Sequence, residues 1–174
     1  GIISKRLHQN EAKGTLPEAE LQDTRIAQPA ASLPAIGFLI EFEVERQAPA
    51  PLNYSKPWWD ATREKKLLLQ YDPRNKKYQF YVRPVSIYDG KRGLEWHEAS
   101  GEGEVFSFTI ADRARPPFQG HEPYAIALVT LKEGVNIMTH VVRCEREALK
   151  IGMKVKLTWI PLPNGMFLPA FEPA

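Results

Sequence analysis

A chain of 174 residues, 43% hydrophobic and 25% charged, has room for one globular domain with a small appendage, and no apolar run approaches the roughly 18 residues that cross a bilayer. A formal net charge of +2 is too mild for a protein held to a phosphate backbone. Cys144, the single cysteine, excludes an intramolecular disulfide and a thiolate zinc site and fits a reducing cytoplasm. Ile2-Ile3 gives way at once to Ser4-Lys5-Arg6, which is not the pattern of a signal peptide.

Residues 1–52 read as an extended N-terminal arm, because Gly14, Pro17, Pro29, Pro34, Pro49 and Pro51 interrupt any long element. Pro17–Leu21 suits one helical turn, and from Ile40 onward the chain alternates like an amphipathic strand. Its apolar stripe, Ile40, Phe42 and Val44, needs a cover, either a partner or the protein's own barrel. Asn53-Tyr54-Ser55-Lys56-Pro57 then opens a helix, with Asn53 or Ser55 as cap and Pro57 in the first turn, expected to run from Pro57 to Lys66. Trp58 and Trp59 diverge by about 100° around its axis. That spacing lets one indole cover its own domain while the other serves as a partner anchor, against the plainer arrangement in which both pack under the barrel. Leu67-Leu68-Leu69 reads as a buried strand leaving the helix.

The second half carries five strands. Val105–Ile110 alternates with Phe106, Phe108 and Ile110 on one face. Tyr124–Leu131 and Val135–Val142 are joined by Lys132-Glu133-Gly134, a hairpin connection. Glu145–Leu149, made of good helix formers before Gly152, predicts a short helix. Val155–Ile160 follows, and Asn164-Gly165 turns the chain into Met166–Leu168, with Pro169 ending regular pairing and the tail lying on the barrel. Five strands with a helix between the third and fourth is the OB-fold order. Gly101 and Gly103 precede a strand and do not open a helix, so they mark a bend or bulge and not a phosphate cradle.

Several elements in order now resemble a known family. They are the Trp58-Trp59 helix, Leu67-Leu68-Leu69-Gln70, Tyr78-x-Phe80-x-x-Arg83-Pro84, Leu94-Glu95-Trp96, Ser100-Gly101-x-Gly103-x-Val105-x-Ser107-x-Thr109, Pro123-Tyr124, Leu149-x-Ile151-Gly152-x-x-Val155 and Leu168-Pro169-x-Phe171. Over Tyr54–Ala174 the chain resembles the acyl-CoA-associated OB-fold proteins with an N-terminal rubredoxin-like zinc ribbon, a domain long catalogued as of unknown function. The resemblance implies a mainly β architecture in three parts: the extended arm 1–52, a helix plus degenerate ribbon 53–93, and the OB-fold barrel 94–174. Where intact members carry two Cys-x-x-Cys pairs, this chain has Asp72 and Asn75, then Ser86 and Asp89. Losing every thiolate removes the ligands that tetrahedral zinc prefers, so zinc is not expected. Asx-type turns should hold the two knuckles, with Tyr71, Tyr78, Phe80, Tyr81 and Tyr88 packing where the metal was.

The sequence shows no paired carboxylates, nucleophile with base, or metal cluster. Cys144 reads as a small packing residue, and Arg143, Arg146, Lys150, Lys154 and Lys156 read as a solvated basic surface. The resemblance implies a non-catalytic accessory subunit of a hetero-oligomeric thiolase-superfamily enzyme, with the catalytic residues on a thiolase-fold partner and a coenzyme A thioester at the shared interface, no cofactor being covalently held. Arg113, Arg115, Phe118 and His121, on the loop between the first two barrel strands, are the expected cofactor-binding residues; Phe42, Trp58 and Trp59 are the expected partner contacts. The alternative, an OB-fold that binds single-stranded nucleic acid, calls for aromatic and basic side chains on the second and third barrel strands. Ala125–Val129 and Val135–His140 carry none.

Overall fold

Ser55 starts the helix α1 (Lys56–Arg63), with Pro57 in its first turn, where a missing N–H removes no intrahelical bond. The computed structural model describes residues 46–174 and the backbone of a two-residue strand, β1 (Phe38–Leu39). The turn expected at Pro17–Leu21 and the stripe of Ile40, Phe42 and Val44 lie outside the described residues. The Ser55 hydroxyl turns back to Leu52, accepting from its N–H at 3.0 Å and donating to its carbonyl at 3.1 Å. The helix stops short of Lys66 because Lys65 takes a left-handed φ of 56°. The N–H groups of Lys65 and Lys66 fold back onto the carbonyls of Thr62 and Ala61, which closes the helix end.

Beyond that turn Leu67 is buried, and β2 (Leu68–Asp72) forms the centre of an antiparallel sheet between β3 (Lys77–Gln79) and β4 (Glu95–Glu98). The ribbon therefore draws its third strand from residues that the sequence boundary at 93/94 assigned to the barrel.

The barrel is built from β5 (Glu102–Ala111), β6 (Tyr124–Leu131), β7 (Asn136–Val141), β9 (Lys154–Pro161) and β10 (Phe167–Pro173), closed in the order β10-β7-β6-β5-β9. Only the β10–β7 pair is parallel, and this mixed, closed arrangement is that of an OB-fold. A short strand, β8 (Cys144–Glu145), lies outside the barrel and pairs with β1. Val105, Val129, Ile137, Val141, Val155 and Phe171 fill the interior.

Three local expectations differ from the structure. The β5 register shifts between Val105 and Ser107, so Phe106 turns outward at 58% exposure while Phe108 and Ile110 pack against the core. One extra residue in a strand reverses the facing of everything beyond it, and simple alternation cannot register that. Glu145–Leu149 is not a helix. Glu145 is engaged in β8, and the remaining residues before Gly152, at φ +82°, make one turn in which Ala148 and Leu149 both donate to the Glu145 carbonyl. So short a stretch does not recover the cost of helix nucleation. Pro169 does not end the last strand: it pairs with Trp159, and pairing continues to Pro173 opposite Val155. Proline lacks only the donor, and its carbonyl is used, accepting from the Thr139 hydroxyl at 2.8 Å.

Gly103, in β5, lies close against β6. A Cβ there would stand 2.6 Å from Val129 Cγ1 and 3.0 Å from the Thr130 carbonyl oxygen. Gly103→Ala is expected to destabilise the barrel by about 1–3 kcal/mol, the usual cost of overpacking, measured as a lowered urea midpoint at unchanged m-value.

Candidate functional site

The positions that match the zinc ligands do come together, as a polar knot. Asp72 ends β2 fully buried. Its Oδ1 accepts from the N–H of Arg74 at 3.0 Å and of Asn75 at 3.3 Å, and its Oδ2 accepts from Asn75 Nδ2 at 2.9 Å. The Ser86 hydroxyl from the second knuckle also donates to it, and these bonds, Ser86 first, lower its pKa from the ordinary 3.8 to about 2. Arg74 then bridges the knuckles, its Nε donating to Asp89 Oδ2 at 2.9 Å, while Asp89 Oδ1 accepts from the Lys91 N–H at 2.9 Å. Asn75 and Ser86 thus bind Asp72 directly and Asp89 joins through Arg74, and among the described residues no group of three or more His, Cys, Asp or Glu is placed to hold a metal ion.

A second device in the ribbon is a buried glutamine pair. Gln79 Nε2 donates to Gln70 Oε1 at 2.9 Å, Gln70 Oε1 also accepts from the Arg83 N–H, and Gln79 Oε1 accepts from the Ile87 N–H. Their amides supply partners for an irregular stretch that no strand pairs, as buried backbone groups require. Gln70 lies in the quoted Leu-Leu-Leu-Gln element, yet glutamine carries no pattern that singles it out for this role. The aromatic residues split. Tyr71 packs on Tyr78 and His97 at centroid distances of 4.9 and 4.8 Å, and Phe80 meets Trp58 at 6.0 Å, whereas Tyr81 and Tyr88 are exposed.

Between α1, the 80–82 segment of the ribbon and one side of the barrel lies a cavity of about 530 Å³. Trp58, Trp59, Phe80 and Tyr81 line it from the helix and ribbon; Ile126, Ile137, Met138, Thr139 and His140 from β6 and β7; Leu168 and Pro169 from β10. Among the described residues that line it none is Asp, Glu, Lys or Arg. The Trp58 side chain is 6% exposed, and its indole N–H is buried without a hydrogen-bond acceptor. Burial pushes the His140 imidazole below its ordinary pKa, and its Nδ1 lies 3.1 Å from the Ala125 carbonyl. Trp59, half-buried, and Phe118 and Leu168 form a wall shared with a second cavity reaching Arg46, Pro116 and Pro117.

The loop between β5 and β6 sends Phe118 into this region. The Phe118 ring stacks on Tyr124 at 5.2 Å and lies 6.0 Å from His140, and the Arg46 guanidinium covers it at 5.1 Å. Glu122 shapes the loop, its Oε1 accepting from the Ala114 N–H at 2.8 Å and its Oε2 from the Gly120 N–H at 2.6 Å. Its own N–H, then those of Gly120 and Ala114, hold its carboxyl below the usual range. Of the residues assigned from sequence to the cofactor, Phe118 lines the cavity, His121 is half-buried beside it in the loop, and Arg113 and Arg115 are exposed. Of the assigned partner contacts, Trp58 is spent on the core, Trp59 keeps part of its surface, and Phe42 is outside the described residues.

Cys144 is 2% exposed, and burial, with Glu145 beside it, pushes its thiol up; that is the setting of a packing residue. Four of the five members of the basic cluster are matched by acids. Lys154 pairs with Glu104, Arg146 with Asp112 at 2.9 Å, and Glu172 takes both Arg143 at 2.8 Å and Lys156 at 3.7 Å.

A closed five-stranded barrel fronted by one helix and a three-stranded ribbon defines an OB-fold protein of the ribbon-and-barrel type. A family model described as ChsH2, C-terminal OB-fold domain, matches residues 96–159. A DUF35 domain-containing scaffold protein of Pyrococcus furiosus is 33% identical over 107 residues, 62% of this chain and 78% of that one, and the chain belongs to the DUF35 family. The probable enoyl-CoA hydratase alpha subunit of Thermomonospora curvata is 32% identical over 130 residues, which is 74% of this chain but 40% of that protein. The chain thus spans less than half the length of that relative. Among solved structures, the Ltp2-ChsH2(DUF35) aldolase has a chain that aligns with a TM-score of 0.65 and 29% identity, covering 72% of this chain and 98% of its own length.

The Asp72 knot has a sign that can be checked. Because its folded pKa, about 2, lies below the ordinary 3.8, the stability it supplies is complete above about pH 4 and is lost as pH falls toward 2. Asp72→Asn is expected to remove that part of the pH dependence, so that the stability gap between the two proteins narrows steadily from pH 5 to pH 2 in denaturant titrations.

Proposed function

We propose that this protein is the non-catalytic accessory subunit of a hetero-oligomeric enzyme acting on acyl-CoA thioesters, and that its catalytic partner has the thiolase fold. The observation that carries the reading is the likeness to the DUF35 chain of the Ltp2-ChsH2 aldolase, nearly all of which is covered. The name of the Thermomonospora curvata relative, an enoyl-CoA hydratase alpha subunit, supports the same substrate chemistry. The described residues fit a supporting part, since the one thiol is buried and raised in pKa. The acids of the ribbon are likewise engaged in holding their own loops.

In this reading Arg113 and Arg115, exposed on the loop that carries Phe118 and His121, face the phosphates of coenzyme A at the shared interface. Guanidinium groups suit that task because they meet phosphate oxygens bidentately. Trp59 and the exposed Tyr81 and Met138 offer the aromatic and flexible apolar surface that interfaces favour.

The test is isolation of the protein under native conditions with whatever binds it. A thiolase-fold enzyme should co-purify in fixed ratio, thioester turnover should need both chains, and this chain alone should show none. Arg113→Glu with Arg115→Glu should raise the complex's KM for the thioester by about tenfold while leaving kcat within about threefold. Turnover by the single chain would overturn the proposal, as would a salt-sensitive complex with an oligonucleotide and no enzyme partner.

A further inference from the structure

The two knuckles of the ribbon concentrate a charge that the chain as a whole does not carry. Residues 72–93 hold six Lys or Arg against two Asp, while the rest of the chain has 17 basic residues against 19 acidic. Both aspartates are already engaged, Asp72 buried in the knot and Asp89 accepting from Arg74. Lys76 and Lys77 on the first knuckle and Lys91 and Arg92 on the second are exposed, and none of the four is in an ion pair among the described residues. Beside them the second knuckle presents Ile87 at 55% exposure and Tyr88 at 41%. Hydrogen bonds fix this tip: the Ile87 N–H donates to the buried Gln79 Oε1 at 2.9 Å, the Tyr88 N–H to the Ser86 hydroxyl at 3.1 Å, and the Tyr88 hydroxyl to the Tyr78 carbonyl at 2.6 Å. The apolar side chain is therefore held out by the fold itself.

We propose that this tip is a peripheral docking site for an anionic lipid surface, with Lys76, Lys77, Lys91 and Arg92 meeting headgroup phosphates and Ile87 entering the boundary with the acyl chains. The site stands independently of the acyl-CoA reading above. Four cations alone would suit any polyanion, and Ile87 decides among them. A branched aliphatic side chain makes no hydrogen bond to phosphate and offers no flat face to a base, and one face of the Tyr88 ring is already covered by Lys77 Nζ at 5.2 Å, so the stacking that single strands need is not supplied. On a bilayer the same isoleucine leaves water as the cations meet phosphate. The knuckle is a tight turn, closed by the Gly90 N–H on the Ser86 carbonyl at 3.0 Å, a shape that projects into a headgroup layer. Each basic residue close to an anionic bilayer strengthens binding about fivefold. Four give roughly several hundredfold, which suits reversible attachment.

The full-length chain is sedimented with vesicles of phosphatidylcholine alone and of phosphatidylcholine with about one third phosphatidylglycerol. The anionic vesicles should bind it at least about tenfold more tightly, and salt at about 0.5 M should remove most of the difference. Lys76→Glu with Lys91→Glu and Arg92→Glu should bring binding down to the neutral-vesicle level, whereas Lys150→Glu, on the barrel, should leave it within about twofold. Ile87→Ser should weaken vesicle binding about tenfold with circular dichroism and melting temperature retained, since its apolar surface no longer leaves water. Binding of heparin, a polyanion with no apolar layer, should stay within about twofold in the same variant. Equal binding to both vesicles, or vesicle binding unmoved by Ile87→Ser, overturns the site. Capture of an oligonucleotide or an acidic protein by the tip, without sedimentation on anionic vesicles, overturns it too. A chain that assembles with a thioester enzyme yet ignores both vesicles removes the lipid site and leaves the accessory role standing.

Discussion

The Val142 N–H donates to the Phe171 carbonyl at 2.8 Å, and Phe171 lies opposite Val141; by this contact the last strand joins β7 and shuts the barrel. A barrel left open here would expose two edges and the apolar faces behind them. Phe171 is itself fully buried, so the residue that carries the joining backbone group also fills the interior. The same strand runs antiparallel to β9 over seven residue pairs, and that hairpin fixes the register in which Phe171 arrives.

The helix depends on that hairpin as well. Arg63, at the end of α1, donates to the Asn164 carbonyl at 2.6 Å in the β9–β10 turn, and the Phe167 N–H reaches the Thr62 hydroxyl at 3.4 Å. Trp58 and Trp59 are thereby held over the barrel with Leu168 and Pro169 beneath them. The cavity is what remains between a helix tied at its far end and a ribbon tied by the Tyr81 hydroxyl at Met138. Its shape belongs to three elements that meet only after the barrel has closed.

Much of this can be read from residue order, and the reasons are local. Tyr124–Leu131 is an almost continuous apolar run, followed a few residues on by a glycine at φ +81°, so strand and turn are both visible in the pattern. The OB-fold order follows from such strands, and the family from motifs spaced along them. What cannot be read arises from contacts between distant segments. A bulge at Phe106 answers to the β6 register, Pro169 stays in its strand because Trp159 lies opposite, and the Glu145 segment yields its helical propensity to a strand pairing. The cavity is the clearest case. Phe118 and the two tryptophans are conspicuous in the sequence, but Ile126, Ile137 and Met138 look like ordinary strand residues until the ribbon is laid across them.

The junction between the ribbon's two loops is a carboxylate buried among hydrogen-bond donors and a guanidinium reaching across to a second carboxylate. A joint of that composition is complete as soon as the polypeptide folds. It has no sulfur for peroxide to attack and no soft ligand for a chelator or a competing heavy ion to strip. Its strength is governed instead by acidity and ionic strength, and the loops it fastens flank β3 and the segment that carries Tyr81 to the cavity's edge.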